Sequence, residues 1–187
     1  MPHKPGAILV INCGSSSIKF ALFSGEPTLP RLFSGAIERI GLTHGHFHAS
    51  DLSGESVIER QTTLANHREA LELLVGTVKQ QLTGRMLLAV GHRVVHGGAA
   101  CDCPHRVTPE LEVRLTRLIP LAPLHLPHNL EGIAALREIE PALPQIACFD
   151  TAFHHGLPPV AKLTTLPREL RQDGIRRYGF HGLSYEY

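Results

Sequence analysis

No apolar stretch in the sequence approaches the roughly 20 residues needed to cross a bilayer. The opening residues lack a secretory core and a small-residue cleavage pattern, so the expected compartment is cytoplasmic, with no membrane partner. An excess of one charge is missing as well. Eighteen Lys and Arg against 17 Asp and Glu leave a formal net charge of +1 without a basic run. That removes the electrostatic case for nucleic acid. No internal repeat or low-complexity tract is present, and the four cysteines (Cys13, Cys101, Cys103, Cys148) form no paired framework. Cys101 and Cys103, followed by His105, hint at a metal site but lack a second pair at structural-zinc spacing. Histidine, by contrast, is plentiful at thirteen, so net charge climbs steeply below about pH 6.5.

The rest of the chain is organised around a stretch near its start. Ala7-Ile8-Leu9-Val10-Ile11 is an unbroken apolar run, which suits a strand buried on both faces. Asn12-Cys13-Gly14-Ser15-Ser16-Ser17 then makes a polar turn, and Ile18, Phe20 and Leu22 alternate with Lys19 on a second strand. Three hydroxyls, close backbone N–H groups and a lysine make a concavity able to hold a phosphate chain. The phosphate loop of nucleoside triphosphatases is excluded, because only Gly14 is present and a strand follows, not a helix. Read plainly, the same residues are hairpin-turn chemistry.

Beyond it, residues 32–40, 44–50 and 56–64 read as further strands of an antiparallel meander. Asn66 with Glu69 makes a capping-box pattern, Leu71, Leu74, Val75, Val78 and Leu82 recur at helical spacing, and Gly84 stops the helix. Residues 86–90 form a strand that empties into a glycine-flanked segment. Thr108-Pro109 opens a second helix running to about residue 119. The proline-rich stretch 120–128 reads as a loop, residues 129–138 as a third helix and 145–149 as a strand. A short helix is expected over 168–172 and a strand over 176–181. Strands first and helix–strand alternation afterwards give an α/β domain with a mixed sheet and flanking helices. In such sheets ligands collect past the carboxyl ends of strands, where Arg93, His125 and Asp150 fall.

Taken singly, these residues have ordinary readings. Arg93 suits a surface ion pair, Asp150 a cap or turn, and His125 a loop histidine bonded to backbone. His92 and His96 read as structural, and Val95, Leu124 and Phe180 as core. Together the strings say more. Asn12-x-Gly14-Ser15-Ser16-Ser17-x-Lys19, Gly91-His92-Arg93-Val94-Val95-His96-Gly97-Gly98, Leu121-Ala122-Pro123-Leu124-His125, Phe149-Asp150-Thr151-Ala152-Phe153-His154 and Arg176-Arg177-Tyr178-Gly179-Phe180-His181-Gly182 run from end to end of the chain. In order and spacing they resemble the acetate kinase family of acetate, propionate and related carboxylate kinases.

The resemblance implies an actin-like, ribonuclease-H-like ATPase fold. Residues 1–150 would form its first lobe and 151–187 the opening of a second. It implies a phosphotransferase moving the γ-phosphate of ATP to a short carboxylate, giving acetyl phosphate and ADP reversibly, with Mg²⁺. It also implies roles. Asn12, Ser15, Ser17 and Lys19 match the phosphate-proximal turn, and Arg93 an arginine at the carboxylate and the transferred phosphoryl group. His125 and His181 match histidines lining the transfer path, and Asp150 an acidic residue at the centre of the cleft. Val95, Leu124 and Phe180, beside Arg93, match the pocket for the substrate's alkyl end. Asn12 and Asp150 match the metal side, Asp150 through water or by orienting arginine.

The chemistry fits those roles. A carboxylate with a pKa near that of Glu is ionised at pH 7 and needs no general base. The difficulty is bringing it to a polyanion, and arginine, always charged and forked, answers that. Departures are few: Leu126 stands where the family has asparagine, and Leu183-Ser184-Tyr185 where it has Thr-Ser-His. Family members are about twice as long and form homodimers. This chain is therefore expected to be an amino-terminal portion, inactive alone. The rival expectation is a catalytically silent homologue that binds phosphate or a protein partner.

Overall fold

Short apolar-rich strands joined by tight turns build the first half of the chain. In the computed structural model, which describes residues 5–162, 165, 167, 169–170 and 175–187, β1 (Ala7–Cys13) turns into β2 (Ser17–Ser24). The meander continues through β3 (Arg31–Glu38), β4 (Gly45–Ser50) and β5 (Ser56–Thr62), each pair antiparallel. Helix α1 (His67–Gln81) follows, capped as the sequence predicts by the Asn66 side chain, which accepts from Glu69 N–H at 3.0 Å. The reciprocal bond goes one residue further back, from Ala65 N–H to Glu69 Oε2 at 2.8 Å.

The second half adds β6 (Leu87–Val94), a two-residue β7 (His105–Arg106), α2 (Pro109–Thr116), α3 (Leu126–Ile139) and β8 (Gln145–Phe149). Single 3₁₀ turns lie at Ile119–Leu121 and Phe153–Gly156, and short helices α4 (Pro159–Lys162) and α5 (Gly182–Glu186) complete the described chain. The eight strands form one sheet in the order β5-β4-β3-β2-β1-β6-β8-β7, parallel at β1/β6 and β6/β8.

Helices α1, α2 and α3 cover one face only. Leu9, Ile11, Ile18, Leu22, Ile37 and Phe47 point into it, with Leu71, Leu74 and Val78 of α1 above them. Val94, Ala147 and Phe149 extend that core under Leu111 and Leu115 of α2 and Leu126 and Ile133 of α3. The opposite face is uncovered over β1, where Val10 is 39% exposed. The expected burial of β1 on both faces therefore fails, since no described helix packs against the Val10 side.

Three boundaries also move. β6 does not stop at residue 90 but runs through Gly91, His92 and Arg93 to Val94. Ladders to β1 on one side and β8 on the other outweigh the low strand preference of Gly91. α2 ends at Thr116, short of the expected residue 119, where the 3₁₀ turn containing Pro120 takes over. α3 starts at Leu126, three residues early, because Pro127 sits in its first turn, where no N–H is needed. Residues 176–181 form no strand. The helix expected over 168–172 lies largely outside the described residues.

Candidate active site

The carboxyl ends of β1, β6 and β8 meet the start of α3 around a cavity of about 500 Å³. Asn12 enters from the end of β1, Arg93 from β6, Val95 from just past β6, and Asp150 from just past β8. Leu124 and His125 arrive from the turn before α3, and Phe180 and His181 from the carboxyl-terminal segment. Eight sequence-predicted residues are thus brought together. Ser15, Ser17 and Lys19 are not among the lining residues, whereas Cys13 and Gly14 are.

At the centre is an ion pair. Arg93 Nη2 donates to Asp150 Oδ2 at 2.7 Å, and Nε lies 3.2 Å from both carboxylate oxygens. Asp150 is 1% exposed and Arg93 27%. Arg93 Nη2 also reaches His181 Nδ1 at 3.1 Å. An arginine can only donate, so Nδ1 is the acceptor and the neutral His181 ring carries its proton on Nε2. Nη1 carries no internal bond among the described residues.

The carboxyl-terminal segment is held onto this pair by small residues and rings. His181 adopts a left-handed backbone (φ 57°), and the chain then passes directly against β8. A Cβ on Gly182 would lie 2.0 Å from Asp150 O, so only glycine fits there. Phe180 O accepts from His154 Nε2 at 2.9 Å, and Tyr178 and Phe180 both pack on the His96 ring. These contacts replace the expected strand.

Of the three apolar residues, Val95 packs against the core while Leu124 and Phe180 do not. Leu124 is 76% exposed and Phe180 42%, because both face the cavity rather than the helix layer. A lining of this kind receives an aliphatic group, while the start of α3, presenting its positive end, favours an anion.

The serine turn is fixed from within and from outside. Gly14 N–H donates to Ser17 O at 2.8 Å, Ile40 N–H to Ser16 O at 2.9 Å, and His67 Nε2 to Gly14 O at 2.7 Å. The amides of Ser15 and Ser16 have no internal acceptor among the described residues. Lys19 stands exposed directly opposite Asn12 on the uncovered face.

Two residues were missed from the sequence. Asn129 is buried in α3, its Oδ1 accepting from Val95 N–H at 3.1 Å and its Nδ2 donating to Cys13 O at 3.0 Å. It thereby ties the end of β1 to the end of β6. Its signal was an amide at helical spacing between Leu126 and Ile133 on an apolar stripe. Thr151 Oγ1 accepts from Gly97 N–H at 3.0 Å and shapes the turn after β6.

Neighbouring titratable groups are kept neutral. Burial pushes the Cys13 thiol up to about 12 and His92 down to about 4, the amide of Gln145 acting more weakly in the opposite sense on His92. Neither His92 Nε2 nor Gln145 Oε1 has a partner at hydrogen-bonding geometry among the described residues, so the imidazole is held by packing. Burial also lowers His96, whose Nδ1 accepts from Gly98 N–H at 2.9 Å. Both histidines are structural, as expected.

A cation beside this pair would find a hard-oxygen donor set. The Asp150 carboxylate is engaged by Arg93 but keeps lone pairs, and Asn12 adds an amide to the same wall. That suits Mg²⁺, which keeps several of its waters. No helix among the described residues is long and apolar enough to cross a membrane.

Comparison with known proteins agrees with the architecture. The acetate kinase of Rhodopseudomonas palustris (strain ATCC BAA-98 / CGA009) is 50% identical over 184 residues, covering 96% of this chain and 46% of that protein. That of Corynebacterium glutamicum (strain ATCC 13032) is 43% identical over 185 residues, with 96% and 46% covered. Among solved structures, Porphyromonas gingivalis acetate kinase superposes with a TM-score of 0.85 at 36% identity, over 97% of this chain and 47% of that one. A propionate kinase from Francisella tularensis gives the same values. The chain spans about half the length of the curated relatives it matches. The fold is accordingly the actin-like ATPase fold of those kinases. Since the family model described as "Acetokinase family" matches residues 7–187, the chain belongs to the acetokinase family.

Proposed function

We propose that this chain supplies one wall of an ATP-dependent carboxylate kinase, in which the cavity receives a short carboxylate and its phosphorylated form. The observation that carries this reading is the Arg93–Asp150 pair. Asp150 fixes one edge of the guanidinium, and the remaining N–H groups face a cavity with an apolar end. Arg93 then binds the anionic oxygens of the substrate and of the phosphoryl group as charge shifts between them. Asp150 acts by holding Arg93, since an already ionised substrate gives it no proton to accept. Val95, Leu124 and Phe180 take the alkyl group.

His181 presents Nε2–H and His125 its ring to the same space, as donors to phosphoryl oxygens. Ser15, Ser17 and Lys19 meet the phosphate chain from the open side of the turn. Mg²⁺, held by Asn12 and Asp150 through water, would supply neutralisation of the nucleotide phosphates. Residues 1–150 would constitute the first lobe and 151–187 the start of the second, the remainder being supplied by sequence of the kind that fills the other half of the relatives. Cytoplasmic residence and homodimer formation belong to the same proposal; four unpaired cysteines accord with a reducing compartment.

The test is acyl phosphate formation from ATP and acetate, trapped with hydroxylamine. It is measured on this chain completed with the second half of the Rhodopseudomonas palustris relative, with the 187-residue chain alone as control. Magnesium-dependent acyl hydroxamate from the completed protein supports the reading. A folded, completed protein that binds nucleotide but forms none overturns it.

A further inference from the structure

The outer strands carry a second group of donors, separated by β2 from β1, the nearest strand that borders the cavity. His46 and His48 are two apart on β4, so both imidazoles stand on the uncovered face. Their rings stack with centroids 4.8 Å apart and planes 21° from parallel. The ladder sets Glu38 of β3 directly opposite His46, and Glu59 of β5 directly opposite His48. One donor atom each from Glu38, His46 and His48 lies within 4.8 Å of the other two. Among the described residues this is the one such group of three. Glu59 Oε1 lies 2.5 Å from His46 Nε2, and Glu38 Oε2 3.8 Å from His48 Nε2.

Adjacent donors around a tetrahedral zinc ion sit about 3.3 Å apart, given bonds near 2.0–2.1 Å. The three side chains are partly or fully exposed, so a small rotamer change closes the difference. With neutral imidazoles the four groups carry two negative charges, which a dication balances. Two imidazole nitrogens select a borderline-soft metal over Mg²⁺ or Ca²⁺. Glu59 either completes the shell or fixes the His46 tautomer from outside, as carboxylates commonly do for metal-bound imidazoles.

We propose that Glu38, His46 and His48, supported by Glu59, form a surface site for a divalent cation of the zinc class, pinning β3, β4 and β5 together. It is distinct in place and donor type from the oxygen-rich wall around Asp150.

The test is a zinc chloride titration of the chain by calorimetry in a non-chelating buffer, with histidine ring resonances followed in parallel. Cys103→Ser is used throughout, because that thiol is exposed and would compete. One ion per chain is expected, with His46 and His48 signals moving before those of other histidines. His46→Asn with His48→Asn should weaken binding by about tenfold or more, and Glu59→Gln by about 10-fold. Zinc uptake unchanged in the double variant overturns the proposal. So do ring signals that move first elsewhere, or no binding below millimolar zinc, and neither of those readings depends on a substitution in the site itself.

Discussion

Arg93 and Asp150 are 57 positions apart in sequence, yet Nη2 of one donates to Oδ2 of the other across 2.7 Å. The register explains the meeting. β6 and β8 run parallel with Arg93 opposite Cys148, so Asp150, two residues on, emerges on the same uncovered face at the strand ends. The carboxylate is almost fully buried, and the arginine is its charge partner.

Removing the arginine alone therefore does two things at once. Arg93→Ala should abolish carboxylate binding and also destabilise the chain by about 3 kcal/mol, because an unpaired charge stays buried. Arg93→Lys should restore most of the stability but little of the binding, since an ammonium cannot present a planar fork. Urea unfolding and ligand titration of both variants check this. Equal binding by the lysine variant would mean that charge alone suffices.

His67 acts on the serine turn without entering the cavity. Its Nε2 holds Gly14 O at 2.7 Å, while Nδ1 faces Glu131 Oε2 at 3.9 Å and the ring stacks on His128. His67→Phe should keep the fold at a cost of about 1–2 kcal/mol, the range for one buried hydrogen bond lost. Amide exchange should accelerate at residues 14–17 and stay unchanged in β6 and β8. Uniform acceleration would show that His67 serves the core rather than the turn.

His92 predicts a pH dependence. Its folded pKa of about 4 lies below the unfolded value of 6.5, so the unfolded chain binds more protons between those limits. Its contribution is complete above about pH 6.5 and is lost as pH falls toward 4, by roughly 3 kcal/mol at most. Thermal melts across this window should fall less steeply for His92→Leu than for the parent. Parallel slopes would mean that the ring is charged in the folded state.

How much of this was legible in the sequence depends on whether the signal was local. β1 was readable as an apolar run, β2 because it alternates, β3 to β5 as short runs bounded by turn residues, and α1 because Asn66 and Glu69 cap a regular stripe. β7 was invisible, two residues being too few to alternate. α3 was read late because Pro127 resembles a breaker unless its place in the first turn is known. At the site, the strings located the residues but not their company. Ser15, Ser17 and Lys19 lie near the cavity in sequence yet outside its lining, and Leu124 and Phe180 read as core although they face a cavity. Asn129 looked like a helix start and is instead the tie between two strand ends. Such placements depend on which strands become neighbours, which no local pattern encodes.

Recognition of a carboxylate and its phosphorylated form is the role proposed for the cavity around Arg93. It is tested most directly by titrating acetyl phosphate into the ¹⁵N-labelled chain and following every amide. Saturable shifts are expected, confined to residues 12–17, 93–97, 121–129, 149–151 and 180–182, weakened by salt and absent in Arg93→Ala. Shifts scattered over the surface, or an undiminished response in that variant, would contradict it.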